Sequence, residues 1–184
     1  MQHADPDSLE ALATRAATGD QAALEDLLAQ IQPRIQRIVG RMLLHPQDAE
    51  EATQDAMLSV AKNITKFEGR SKFTTWLHAV ASNSARSTYR SLKRRAAELP
   101  TDDFPITADP RTTSVIAGSR LDLLEALEVL GSRNPELVEP LVLRDVNGLD
   151  YNEIARLLDT PLGTIKSRIH NARRLVRPLL AATD

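Results

Sequence analysis

The chain has 184 residues, 42% of them apolar and only 3% aromatic, so its core must be built mostly from Leu, Ile, Val and Ala. It has no cysteine, which excludes a disulfide framework and a thiolate zinc site. The formal net charge of −2 excludes a uniformly basic nucleic-acid binder, but it conceals an uneven distribution. Arg86, Arg90, Lys93, Arg94 and Arg95 form one acid-free run, and Lys166, Arg168, Arg173, Arg174 and Arg177 form another. Local patches of this kind are what bind phosphates.

The length suits one domain or two small ones, and the abundance of helix formers points to an all-α protein. No run approaches the roughly 20 apolar residues of a membrane span, and Met1 to Glu10 lacks the apolar stretch of a signal peptide. A cytoplasmic protein without membrane contact of its own is expected.

Taken in chain order, helical periodicity begins at Ser8 and stops near Thr18 and Gly19. Asp20 is placed to cap a second helix through Leu24, Leu27, Leu28, Ile31, Ile35 and Ile38, which Pro33 should kink or split. After His45-Pro46 a third helix carries the stripe Ala49, Ala52, Ala56, Val60, Ile64 and Phe67. Its other face presents Asp48, Glu51, Gln54 and Asp55. The loop Glu68 to Lys72 leads into a fourth helix with Phe73, Trp76, Leu77, Val80 and Ala81, ending in the first basic run. Residues 98–119 hold Pro100, Pro105 and Pro110 without apolar periodicity and read as a flexible linker. The expected division is therefore 1–96, a linker 97–119, and 120–184. The second unit opens with Leu121, Leu124, Leu127, Val129 and Leu130, then a turn over Gly131 to Pro135.

The most informative segment is Asp150 to Arg177. Asp150 and Glu153 have capping-box spacing, and Tyr151, Ile154, Ala155 and Leu158 form one face of a short helix. Asp159-Thr160 leaves room only for a brief turn, with Pro161 suited to the first position of the next helix. Helices joined so tightly must cross, which is helix-turn-helix geometry. On the second helix Leu162, Ile165, Ile169, Ala172 and Val176 share the inner side. Ser167, His170, Asn171 and Arg174 point outward, with Lys166, Arg173 and Arg177 on one flank and Arg168 on the other. Short and amide side chains suit base edges, and flanking cations suit phosphates. A solvated basic helix packed on its neighbour would share the periodicity. The capping, the turn length and the acid-free outer face favour the DNA reading.

These residues resemble a known family. Asp150-Tyr151-Asn152-Glu153-Ile154-Ala155, followed by Pro161 to Ile169, is similar to region 4.2 of the extracytoplasmic-function (ECF) sigma factors. Asp48 to Asp55 resembles region 2.2. Phe73-Thr74-Thr75-Trp76-Leu77, continuing through Asn83 to Arg86, resembles regions 2.3 and 2.4. The resemblance covers nearly the whole chain in the same order.

It implies two small helical domains, region 2 and region 4, in a dissociable subunit of bacterial RNA polymerase. Asp48, Glu51, Gln54 and Asp55 would meet the clamp helices of the largest polymerase subunit, and region 4 would sit on the flap of the second-largest. Arg70, Ser71, Lys72, Phe73, Trp76, Asn83, Arg86, Arg90 and Lys93 would bind and melt the −10 element. Thr164, Lys166, Ser167, Arg168, His170, Asn171, Arg173, Arg174 and Arg177 would serve the −35 element. The family further implies an anti-sigma partner and a linker running toward the polymerase active-site channel. Phe67, Phe73 and Trp76 cluster in sequence around the loop, where bases could stack, although core packing would suit Trp76 equally. One departure is Pro140, which should shorten or kink the helix before the helix-turn-helix.

Two other functions are weighed against this. A self-sufficient repressor would need a dimerisation helix, and it would leave the first basic run unused. An enzyme would need chemistry that the sequence does not supply. His3, His45, His78 and His170 have no metal-ligand spacing, the paired acids Asp102 and Asp103 lie in the linker, and there is neither a glycine-rich phosphate loop nor a nucleophile elbow. Neither enzymatic activity nor a cofactor is expected.

Overall fold

A computed structural model describes residues 8–98 and 115–181. The described residues are helical throughout their regular structure and form two units. The first contains α1 (Leu9–Ala17), α2 (Gln21–Val39), α3 (Pro46–Asn63), a 3₁₀ turn (Ile64–Lys66) and α4 (Phe73–Glu98). The second contains α5 (Val115–Arg133), α6 (Pro135–Leu141), a π-helical turn (Val142–Val146), α7 (Tyr151–Leu157) and α8 (Leu162–Ala181).

Local sequence sets the helix ends of the first unit. Ser8 accepts from Ala11 N and Asp20 from Ala23 N, each satisfying a donor left free at a helix start. Pro46 opens α3, where its missing N–H costs nothing. Pro33, expected to kink or split its helix, does not split it: α2 runs through without interruption. The helix loses one amide donor there, but Ile31, Ile35, Ile38 and Val39 are buried around the proline and hold the segment in place.

The core of this unit is Leu12, Leu27, Ile31, Ile35, Met42, Val60, Ile64, Phe73 and Leu77. Where α3 faces α4 it presents Ala52 and Ala56, both fully buried. These small residues let the backbones approach closely enough for Ser84 Oγ to donate to the Ala52 carbonyl at 2.7 Å.

The segment that composition assigns to the linker is helical at both ends: α4 runs to Glu98 and α5 begins at Val115, while residues 99–114 lie outside the described residues. The turn expected over Gly131 to Pro135 is tighter than the sequence indicates. Helix α5 continues to Arg133, and only Asn134 separates it from Pro135 at the start of α6. Pro140 is buried inside α6, and the chain then widens into the π turn. Gly148 ends that turn at φ 76°, a conformation that favours glycine. Two side chains reach out from this segment, one in the π turn and one just after it. Asp145 reaches Arg173 on α8, and Asn147 Nδ2 donates to Ser82 Oγ on α4 at 2.8 Å in a buried position. The second contact joins the two units.

Candidate nucleic-acid interface

The helix-turn-helix forms as its capping residues require. Asp150 accepts from the amides of Asn152 and Glu153, and Glu153 returns a bond to Asp150 N. These bonds hold the Asp150 carboxyl below its usual range. Between α7 and α8, Asp159 takes φ 46°, which aspartate tolerates better than most residues. Helix α8 starts at Leu162, so Pro161 flanks the helix rather than occupying its first turn, and the Thr160 hydroxyl donates back to the Leu158 carbonyl. Leu143, Ile154, Ile165 and Ile169 make the buried core that fixes the crossing.

On α8 the sides sort as the periodicity dictates. Ile165, Ile169, Ala172 and Val176 are buried, while Lys166, Ser167, His170, Asn171, Arg174 and Arg177 are exposed. Thr164 and Arg168 are half-buried at the edges. Arg173 is exposed as well, and it meets a partner within the chain. Its guanidinium grips Asp145 in a two-pronged pair, Nε to Oδ2 at 2.8 Å and Nη2 to Oδ1 at 2.5 Å, so it braces α8 against the π turn. The hydrogen bond to Asp145 also raises its pKa. Lys166 and Arg177 are exposed on the same flank.

The second candidate surface runs along α4 and the loop before it. Arg70, Lys72, Asn83, Arg90 and Lys93 are exposed, and Ser71, Trp76 and Arg86 are half-buried. Phe73 is corrected from a base-stacking residue to a core residue. It is fully buried, in edge contact with Phe67 at 5.5 Å, and cannot present a face to a base without leaving the core. Trp76 lies 5.7 Å from Phe73 and 5.9 Å from Phe67 on one side. On the other it lines a pocket of about 230 Å³ with residues 66–71. Burial lowers the Arg86 pKa, reinforced by Arg90, and burial raises that of Glu139, which faces Arg86 and Asn83.

On α3, Glu51, Gln54 and Asp55 are exposed and Asp48 is half-buried. Glu51 lies 3.7 Å from Arg95. Leu58, one helical turn from Gln54, is 56% exposed and adds an apolar contact point beside the acids. Its place off the buried stripe was the sequence signal for it.

His78 sits where α4 meets both α2 and the second unit. Burial pushes its imidazole below the usual range; Arg41 and Arg34 act in the same direction, against Asn147 and Glu153. A folded state that resists protonation keeps its full stability above the unfolded imidazole pKa of about 6.5 and loses it as pH falls below that value. The Tm of the chain should therefore drop between about pH 7 and about pH 5, and less for His78→Gln. Equal drops in calorimetry would assign the acid loss to other groups.

Comparison with known proteins identifies the class. Sigma-70 region 2 matches residues 27–95, and sigma-70 region 4 matches residues 121–176. The ECF RNA polymerase sigma factor SigE of Mycolicibacterium smegmatis is 36% identical over 172 residues, which cover 90% of this chain and 65% of SigE. The chain thus spans just under two thirds of that relative. RNA polymerase sigma factor CarQ of Myxococcus xanthus is 31% identical over 166 residues, covering 90% of this chain and 94% of CarQ. The ECF RNA polymerase sigma-E factor of Escherichia coli K12 is 29% identical over 175 residues, 91% of each chain. Among solved structures, CnrH in complex with the cytosolic domain of CnrY shares the fold with a TM-score of 0.54. It is 23% identical, covering 98% of this chain and 100% of that one.

Two helical units, one ending in a helix-turn-helix and both carrying a basic face, define a sigma-70-type transcription initiation factor. The chain belongs to the ECF group of that family. No helix among the described residues is long and apolar enough to cross a membrane.

Proposed function

We propose that this chain joins core RNA polymerase in the cytoplasm and directs it to promoters by reading −35 DNA with α8 and opening −10 DNA along α4. The observation that carries the reading is the outer face of α8, where Ser167, His170, Asn171 and Arg174 are exposed together above a rigid buried core. Asn pairs well with adenine and Arg with guanine, at about 1–3 kcal/mol of discrimination each. Lys166 and Arg177 hold the flanking phosphates, and Arg168 and Thr164 support the opposite edge.

The −10 surface comprises Arg70, Ser71, Lys72, Trp76, Asn83, Arg86, Arg90 and Lys93. Asp48, Glu51, Gln54 and Asp55, joined by Leu58, meet the clamp helices of the largest polymerase subunit, and the second unit meets the flap of the second-largest. Functionally the chain divides into 1–96, 97–119 and 120–184. It performs no chemistry of its own, and an anti-sigma factor holds it inactive.

Run-off transcription with core polymerase on a genomic promoter library tests this directly. Specific starts should appear only when the chain is added, and they should define both elements. In the same assay Asn171→Ala or Arg174→Ala should relax −35 specificity. Arg177→Ala should instead weaken all promoters evenly and reduce the salt slope of binding by about one unit. An even loss across promoters for Asn171→Ala would remove it from the base-reading set.

A further inference from the structure

A third cationic cluster lies outside both basic runs. Arg34 and Arg37 on the last turns of α2, and Arg41 just past its end, line one pocket of about 190 Å³ with Thr74 and His78 of α4. Buried Ile38 and Leu77 complete the lining. All three arginines are exposed. No acid occurs from Leu27 to Gln47, and none lines the pocket. Among the described residues none of the three guanidiniums takes part in an ion pair. Glu153 of α7, whose field reaches His78, lies 3.4 Å from Lys72 and also bonds the Asp150 amide.

The needs of α2 explain only part of this cluster. Cations favour the carbonyls at a helix C-terminus, and Arg37 Nε donates to the Pro33 carbonyl at 3.2 Å. Arg34 lies more than one turn before the end of α2 at Val39. Like charges three or four residues apart destabilise a helix, so gathering all three on one pocket works against the fold. His78 shares the wall, and its Nδ1 is buried with no hydrogen-bond partner among the described residues. The pocket therefore concentrates positive potential that the described residues do not neutralise.

We propose that this pocket binds a small polyphosphate anion, either inorganic or the polyphosphate end of a nucleotide. Guanidinium forks meet phosphoryl oxygens two at a time, and Thr74 adds a hydroxyl donor. The pocket has the room of about six water molecules, which suits a few linked phosphoryl groups and leaves a nucleoside outside. A nucleic-acid strand fits the placement less well. At 3.6 residues per turn, Thr74 and His78 lie on the side of α4 away from Trp76, Asn83 and Arg90. A strand along that surface passes on the other side of the helix. The proposal is thus independent of the promoter assignment. A ligand held by α2 and α4 together also stabilises the folded chain by mass action.

The test is isothermal titration calorimetry of the full chain with sodium tripolyphosphate, at fixed ionic strength and without divalent cations. The native chain should show one saturable site, and its Tm should rise with ligand concentration. The triple variant Arg34→Gln, Arg37→Gln and Arg41→Gln should bind at least about tenfold more weakly. Gln forms helix well and the substitutions relieve repulsion, so the Tm without ligand should be unchanged or higher. Should the triple variant fail to fold, Arg34→Gln alone decides, with weaker binding expected. Absence of saturable binding by the native chain overturns the proposal, as does equal affinity of native and variant chains.

Further arms separate the possible ligands. ATP should bind about as tightly as tripolyphosphate, and binding of ATP alone would move recognition to the nucleoside and overturn the assignment. Sulfate at the same ionic strength should have a much smaller effect; an equal one would reduce the result to general screening. Arg90→Gln combined with Arg94→Gln, from the α4 basic run, should leave tripolyphosphate affinity unchanged. An equal loss there would mean that any cationic patch serves, which also overturns a built site. A single-stranded oligonucleotide should bind the native chain and the triple variant alike. If it loses as much affinity as tripolyphosphate does, the three arginines belong to nucleic acid and the small-anion proposal fails.

Discussion

Replacing Ile165 by alanine should destabilise the second unit by about 2–5 kcal/mol and abolish −35 recognition without touching a DNA-facing atom. Ile165 is fully buried, and the other buried members of its cluster are Leu143, Ile154, Ile169 and Ala79. Leu149, Tyr151, Leu157 and Leu158 pack against this cluster from its rim, and how far they can relax inward sets where the loss falls in that range. Residues 150–181 depend on it because the capping box and the Asp159 turn fix directions but bury little surface. Urea unfolding followed by far-UV circular dichroism should separate into an early transition for the second unit and a later one for the first. Leu175→Ala is the control: its side chain is 40% exposed on the same helix, and its loss should shift stability by less than about 0.5 kcal/mol. A single transition at the native midpoint for Ile165→Ala would mean that the cluster does not hold the crossing.

What the sequence revealed and what it hid divide along the range of the interactions. The helix-turn-helix was legible because its determinants are local: a capping box three residues wide, a two-residue turn, and apolar residues three or four apart. The exposed face of α8 followed from the same period. The partner of Arg173, Asp145, was not legible because it is 28 residues away, and periodicity records that a side chain points outward but not what it meets there. Phe73 and Trp76 were both eligible for the core or for bases. Only the packing of Phe67 against Phe73 assigns the first inside and leaves the second at the rim.

The seam between the units was the largest omission, since Arg70 and Asp159 are 89 residues apart. It did leave a trace. Ala79, Ser82 and Arg86 follow one another at spacings of three and four on a face of α4 other than the Phe73–Leu77 face. Two small residues at that period mark a second buried side on a helix that was read as having one.

Trp76→Ala should slow promoter opening far more than it weakens initial promoter binding. The indole is the chain's only tryptophan and sits half-buried at the rim of the loop pocket, backed by Phe67 and Phe73 and open toward Lys66 to Ser71. Stacking an unpaired base on such a ring contributes about 1–3 kcal/mol, which corresponds to about 5- to 150-fold in the opening equilibrium. Initial binding draws on phosphates and on α8, neither of which touches this side chain. Part of the indole also packs on the core, so a loss of activity alone would not separate the two roles. Trp76→Phe does so, because it keeps an aromatic face and most of the packing and should retain most opening. A template melted in advance over the −10 element supplies the decisive comparison: it should restore transcription by Trp76→Ala toward the native level. If the variant is equally impaired on melted and duplex templates, Trp76 serves only the fold. The opening surface would then rest on Asn83, Arg86 and the cations of α4.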